Sequence, residues 1–199
     1  MVGIRRARLQ RAARQLGTVA LVVAVAAQVA QAAQPHEHGV ARLDVAVDAG
    51  RVSIELDTPL DNLLGFERAP RTDAERDKAT ALVARLRAAD ALFRIDAAAG
   101  CTLLKVDLRS AALQLSIAAA SAAASPVASP AASPVASEHS DLNAVFEFRC
   151  KNGTRAGFVE VGLFDAFAAL KRIELQVVTP RGQLKATLRK PASRVMLVR

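Results

Sequence analysis

Val40-Ala41-Arg42-Leu43-Asp44-Val45-Ala46-Val47-Asp48-Ala49-Gly50-Arg51-Val52-Ser53-Ile54-Glu55-Leu56-Asp57 is the stretch whose reading decides the fold. Ala41, Leu43, Val45 and Val47 share one parity, and Arg42, Asp44 and Asp48 the other. Successive side chains of a strand point to opposite faces, so this alternation describes a strand with one apolar face. Val52, Ile54 and Leu56 repeat it against Ser53, Glu55 and Asp57. Between the runs, Asp48-Ala49-Gly50-Arg51 has the composition of a tight turn, with Gly50 free to take positive φ. A β-hairpin with one buried face is expected.

Downstream, Thr58-Pro59 ends the second strand, and the connector 60–70 is apolar enough to pack onto the domain. Thr72-Asp73-Ala74-Glu75 is a capping box, in which the Thr72 hydroxyl accepts from the Glu75 amide while Glu75 reaches back. Ala79, Leu82, Val83, Leu86 and Phe93 then recur at helical spacing, which predicts one amphipathic helix lying on the hairpin. After Gly100, Thr102, Leu104, Val106 and Leu108 alternate with Cys101, Leu103, Lys105 and Asp107, a third strand that Leu113 and Leu115 extend after a break. Residues 118–137 contain only Ala, Ser, Pro and Val, a composition that cannot offset the entropy of ordering. This stretch is read as a disordered tether.

Beyond it, Leu142, Ala144, Phe146, Phe148 and Cys150 share one strand face. Lys151-Asn152-Gly153-Thr154 turns, and Leu163, Phe164, Phe167 and Leu170 fit a short helix. Ile173, Leu175 and Val177, then Leu184, Ala186 and Leu188, alternate on either side of the turn Thr179-Pro180-Arg181-Gly182. Residues 195–198 supply a final edge strand. Hairpin, helix, strand is thus followed by strand, helix, hairpin. The expected fold class is α+β: antiparallel sheet with two helices, in an N-terminal half (33–117) and a C-terminal half (138–199) joined by the tether 118–137.

Upstream, Arg5, Arg6, Arg8, Arg11 and Arg14 form a basic region followed by an apolar run over residues 16–29, and Ala30-Gln31-Ala32 offers small residues for a signal peptidase. Residues 1–32 are read as a signal peptide. The apolar run is short of the roughly 20 residues that span a bilayer, so a soluble periplasmic protein without a membrane span is expected. The chain carries 27 basic and 19 acidic residues, a net charge of +8. Losing those five arginines leaves 22 basic residues and a net charge of +3. That modest charge, without Trp or Tyr to stack on bases, argues against nucleic acid as a partner. Two cysteines in an exported chain most simply form one disulfide, Cys101–Cys150. The C-x-x-C spacing of a redox or thiolate-metal pair is absent.

The chain has three histidines, and two stand one residue apart in Gln34-Pro35-His36-Glu37-His38-Gly39. In extended backbone both imidazoles project to one face and can reach one cation. The third, His139, precedes Asp141 with the same spacing at the start of another strand. If these segments meet, His36, His38, His139 and Asp141 supply three nitrogens and one oxygen for tetrahedral Zn²⁺, with Glu37 and Glu138 as alternates or supporting partners. No Gly-rich phosphate loop, G-x-S-x-G elbow or H-E-x-x-H is present, and His139-Ser140-Asp141 cannot fold back on itself as a triad. An enzyme is not expected.

Several segments together resemble the ZrgA family of zinc-regulated periplasmic proteins. They are His36-Glu37-His38-Gly39-Val40-Ala41, Asn62-Leu63-Leu64-Gly65-Phe66-Glu67, Phe146-Glu147-Phe148-Arg149-Cys150, Leu163-Phe164-Asp165-Ala166-Phe167 and Gly182-Gln183. The resemblance implies a non-catalytic accessory protein of zinc acquisition that binds zinc and passes it to, or buffers it for, an uptake system component. It also implies a histidine- and acid-rich central tract, whereas residues 118–137 contain neither residue type, and it implies a histidine where Arg68 stands. Multi-site buffering is therefore not expected, and a single zinc site is. The choice of zinc over copper or nickel rests on the resemblance. Glu67 matches the family motif without an assigned role. The alternative expectation is a periplasmic interaction or structural module that keeps the fold without the metal, with the connector 60–70 as its partner surface.

Overall fold

The computed structural model describes residues 37–115 and 140–197, so the segment read as a signal peptide and the low-complexity tether lie outside the described residues. In chain order the elements are β1 (Val40–Val47), β2 (Arg51–Pro59), α1 (Asp61–Leu64), α2 (Asp73–Arg87), α3 (Ala89–Leu92), β3 (Phe93–Ile95), β4 (Cys101–Arg109), β5 (Asp141–Cys150), β6 (Phe158–Val161), α4 (Leu163–Ala166), β7 (Arg172–Thr179), β8 (Gly182–Arg189) and β9 (Arg194–Met196). The fold is α+β. A six-stranded sheet has the order β4-β5-β2-β1-β7-β8, and a three-stranded sheet the order β3-β6-β9.

The hairpin β1–β2 forms with Val47 opposite Val52 and Arg42 opposite Asp57. Its apolar parity is buried as the alternation requires, with Leu43, Ile54 and Leu56 almost wholly enclosed. The glycine that this corner depends on is Gly153 rather than Gly50, which does not take positive φ. The Gly153 N–H donates to the Ala49 carbonyl at 2.6 Å, and a Cβ there would stand 2.1 Å from the Asp48 carbonyl oxygen. Backbone from the second half thus closes on the first hairpin turn, an approach open only to glycine.

The halves share one sheet. β5 lies between β4 and β2, and β1 pairs with β7 in parallel, so the large sheet is mixed. One face, carrying Leu43, Ile54, Phe146, Ile173 and Val177, packs into a core shared with the helices and the small sheet. Phe93 of β3 meets Phe146 of β5 with ring centroids 5.0 Å apart. The disulfide Cys101–Cys150 is formed between residues directly opposite in the β4–β5 ladder.

Three expectations are corrected. The single helix reaching Phe93 instead ends at Arg87, and Ala88 leaves helical geometry at φ −87°, ψ 51°. Phe93 sits in β3, where its pairing with β6 replaces intrahelical hydrogen bonds. The alanine-rich stretch around residue 90 suits either outcome, and the four-residue partner β6 is too short to read as a strand from its sequence. In β4 the alternation changes phase: a bulge between Leu103 and Lys105 leaves Leu104 exposed while Leu103, Val106 and Leu108 turn toward the core. Finally, residues 110–115 form an isolated bridge, Ser110 opposite Leu115, rather than a continued strand.

Candidate metal centre

His38 stands at one end of the large sheet, where β1 begins, β2 ends and β5 and β7 start. Its backbone is held by a turn closed from the Val40 N–H to the Glu37 carbonyl at 3.1 Å. Gly39 takes φ +82° in that turn, a conformation that favours glycine. The Gly39 carbonyl accepts from the Lys171 and Arg172 amides at 2.8 and 3.0 Å, joining the turn to β7.

Asn62 of α1, only 2 % exposed, fastens the same turn from the other side. Its Oδ1 accepts from the Gly39 N–H at 2.6 Å, and its Nδ2 donates to the Val40 carbonyl and to Thr58 Oγ1, each at 2.9 Å. A buried amide with its oxygen and nitrogen both engaged rigidifies what it touches. Asp61 is thereby brought to the His38 ring, with Oδ2 3.2 Å from Nδ1. α1 ends at Gly65, whose φ of +83° turns the chain back on itself. Glu67 then reaches the opposite nitrogen, with Oε1 3.2 Å from Nε2 and its side chain only 9 % exposed, against 62 % for His38.

One imidazole between two carboxylates is a concentrated cation-attracting group. With the Asp61 carboxylate on Nδ1–H, the Nε2 lone pair would face Glu67 Oε1, a pairing that a cation between the two atoms makes favourable. In tetrahedral zinc coordination, with metal–ligand distances of about 2.0–2.2 Å, neighbouring ligand atoms are about 3.3 Å apart. The Nε2–Oε1 separation of 3.2 Å fits that edge. Among the described residues, no group of three or more His, Cys, Asp or Glu could hold a metal ion. The geometry explains this: Asp61 and Glu67 lie on opposite nitrogens of one ring, so at most one of them shares a cation with His38.

Of the residues anticipated as ligands, His36, His139 and Glu138 lie outside the described residues. Glu37 points to Arg172 Nη2, 2.6 Å from its Oε2. Asp141 is the first residue of β5, opposite Pro59. Ser140 lies close to His38 along the backbone: the Leu60 N–H donates to the Ser140 carbonyl at 2.9 Å, and the next residue, Asp61, contacts His38. The described residues beside His36 and His139 therefore converge on the start of α1.

Sequence reasoning missed Asp61 and Asn62 and left Glu67 without a role. Their signal was a pair of polar clusters, Asp61-Asn62 and Glu67-Arg68, flanking the apolar Leu63-Leu64-Gly65-Phe66. Arg68 is engaged elsewhere, donating to both oxygens of Glu75 at 2.9 and 2.7 Å while stacking over Phe66. That pairing, with help from the Arg71 amide, holds the Glu75 carboxyl down at about 2. The connector is not an open apolar surface, since Leu60 is fully buried and Leu63 and Leu64 pack against the core.

No helix among the described residues is long and apolar enough to cross a membrane. A family model described as ZrgA family zinc uptake protein matches residues 35–197. No curated protein matches the chain.

Proposed function

The chain belongs to the ZrgA family of zinc uptake proteins, and from that membership and the geometry around His38 we propose an exported, non-catalytic accessory protein that binds one zinc ion for an uptake system component. The carrying observation is the His38 ring with Asp61 on Nδ1 and Glu67 on Nε2. His38 Nε2 and Glu67 supply two ligands, and Asp61 holds the ring. His36, two residues before His38, and His139, bonded to Ser140, supply two more and complete a four-ligand set. Asp141 is the alternate carboxylate, and Glu37 and Glu138 stand outside the set. The basic and apolar composition of residues 1–32 supports delivery to the periplasm.

Equilibrium dialysis of the chain lacking residues 1–32 against Zn²⁺ is the test. One equivalent is expected, with affinity falling about 10- to 100-fold in His38→Ala and Glu67→Gln and less in Asp141→Asn. Substoichiometric uptake, or uptake indifferent to His38→Ala, would overturn the single-site reading.

A further inference from the structure

We propose that the open edge of β8 receives an extended, acidic segment of a partner protein, which adds to the large sheet as a further strand. β8 closes the order β4-β5-β2-β1-β7-β8, so among the described residues its pairing is with β7 alone. The ladder runs unbroken from Thr179 opposite Gly182 to Arg172 opposite Arg189. In an antiparallel ladder, peptide groups alternate between the paired side and the free side. With Pro180-Arg181 as the connecting turn, the N–H and C=O groups of Gln183, Lys185 and Thr187 and the N–H of Arg189 face the free edge, the Arg189 carbonyl being taken by the Ala192 N–H at 2.8 Å. An unpaired row of N–H and C=O groups of this kind is a template for strand addition.

Charge selects the occupant. Arg181, Lys185 and Arg189 are exposed, and none is drawn into an ion pair among the described residues. All six charged residues after Glu174 are basic. Glu174, which stands opposite Thr187, binds Arg172, as Glu37 does. A second copy of this edge would set like charges against one another, which basic edge residues serve to prevent. A strand carrying Asp or Glu at alternate positions meets Lys185 and Arg189 with opposite charge while pairing its backbone.

The test uses a fluorescein-labelled peptide of alternating Glu and Val, titrated at low salt into the chain lacking residues 1–32. Anisotropy reports binding, and hydrogen exchange reports which amides gain protection. Saturable binding with protection at Gln183, Lys185, Thr187 and Arg189 is expected. Reversing Lys185→Glu and Arg189→Glu together should weaken it about tenfold or more. Thr187→Pro, which removes an outward N–H and leaves every charge, should abolish it. Circular dichroism melts verify that each variant folds, and Lys185→Gln with Arg189→Gln replaces the reversal should that variant unfold. No binding, or binding unchanged by Thr187→Pro, would overturn the proposal. So would capture of phosphatidylglycerol vesicles by a protein that ignores the peptide.

Discussion

At one edge of the large sheet, β4 is fastened to β5 by a disulfide, bulged between Leu103 and Lys105, and followed by the Ser110–Leu115 bridge. At the other edge, β8 is unbulged and joined to β7 through the two residues Pro180 and Arg181. Burial does not separate them, because each carries one buried side chain, Leu108 in β4 and Leu188 in β8. Connection length does. β7 and β8 are neighbours along the chain, so pairing them closes almost no loop, whereas residues 110–140 separate β4 from β5. Of the two edges, the covalent link stands at the one whose pairing costs more chain entropy. The local hairpin holds without one, and its edge is left available.

The largest expected effect breaks this asymmetry directly. Replacing Cys101 and Cys150 together by Ala opens a link of sequence separation 49, and should lower unfolding free energy by roughly 3–4.5 kcal/mol in urea titrations. Amide exchange should accelerate in β4 far more than in β8. Equal acceleration at both edges would mean that the disulfide supports the sheet as a whole.

A smaller effect sharpens the contrast by acting on the central strands. Asn62→Ala removes the partner of the buried Gly39 N–H, leaving it unsatisfied, and one of the two side-chain donors to the Val40 carbonyl. A loss of about 1–3 kcal/mol is expected, with the exchange change confined to the start of β1 and to α1. Zinc uptake should fall in the same variant, because Asp61 is positioned by the same short helix. Full stability in Asn62→Ala would show that the β1–β7 ladder alone holds the rim.

The smallest effect concerns acid. Glu75 has its carboxyl lowered from 4.5 to about 2 by Arg68, so its contribution is complete above about pH 4.5 and is lost as pH falls toward 2. Asp96, held down by the Ala98 and Gly157 amides, and Glu160, held down by Arg194, act in the same sense. Thermal melts should therefore weaken across pH 4.5 to 2, with less pH dependence in Arg68→Ala. Melts of the two proteins that run parallel over this range would remove Glu75 from the account.

Much of this was legible beforehand. The hairpin β1–β2, the long strand β5, the hairpin β7–β8 and the Thr72–Glu75 box are written in residues one to four positions apart, and the structure carries each. Of the His-x-His segment, His38 stands at the end of the sheet where β1 begins, but its neighbours Asp61 and Glu67 were only partly visible. Glu67 reaches His38 because Gly65 reverses the chain and Asn62 anchors α1 beneath the turn. Neither step leaves a periodic trace. The phase change in β4 was hidden for a related reason, since a bulge is set by its partner strand and not by its own pattern.

Taken alone, the amino-acid order determined which side chains face inward along β1, β2, β5, β7 and β8, where the main helix starts and which cysteines pair. Those outcomes follow from covalent spacing and short-range hydrogen bonding. Only the folded chain decided that β1 lies parallel to β7, that β5 enters between β4 and β2, that Phe93 belongs to a strand and that two carboxylates bracket His38. Those depend on which distant surfaces bury one another best, a choice made by the whole core at once.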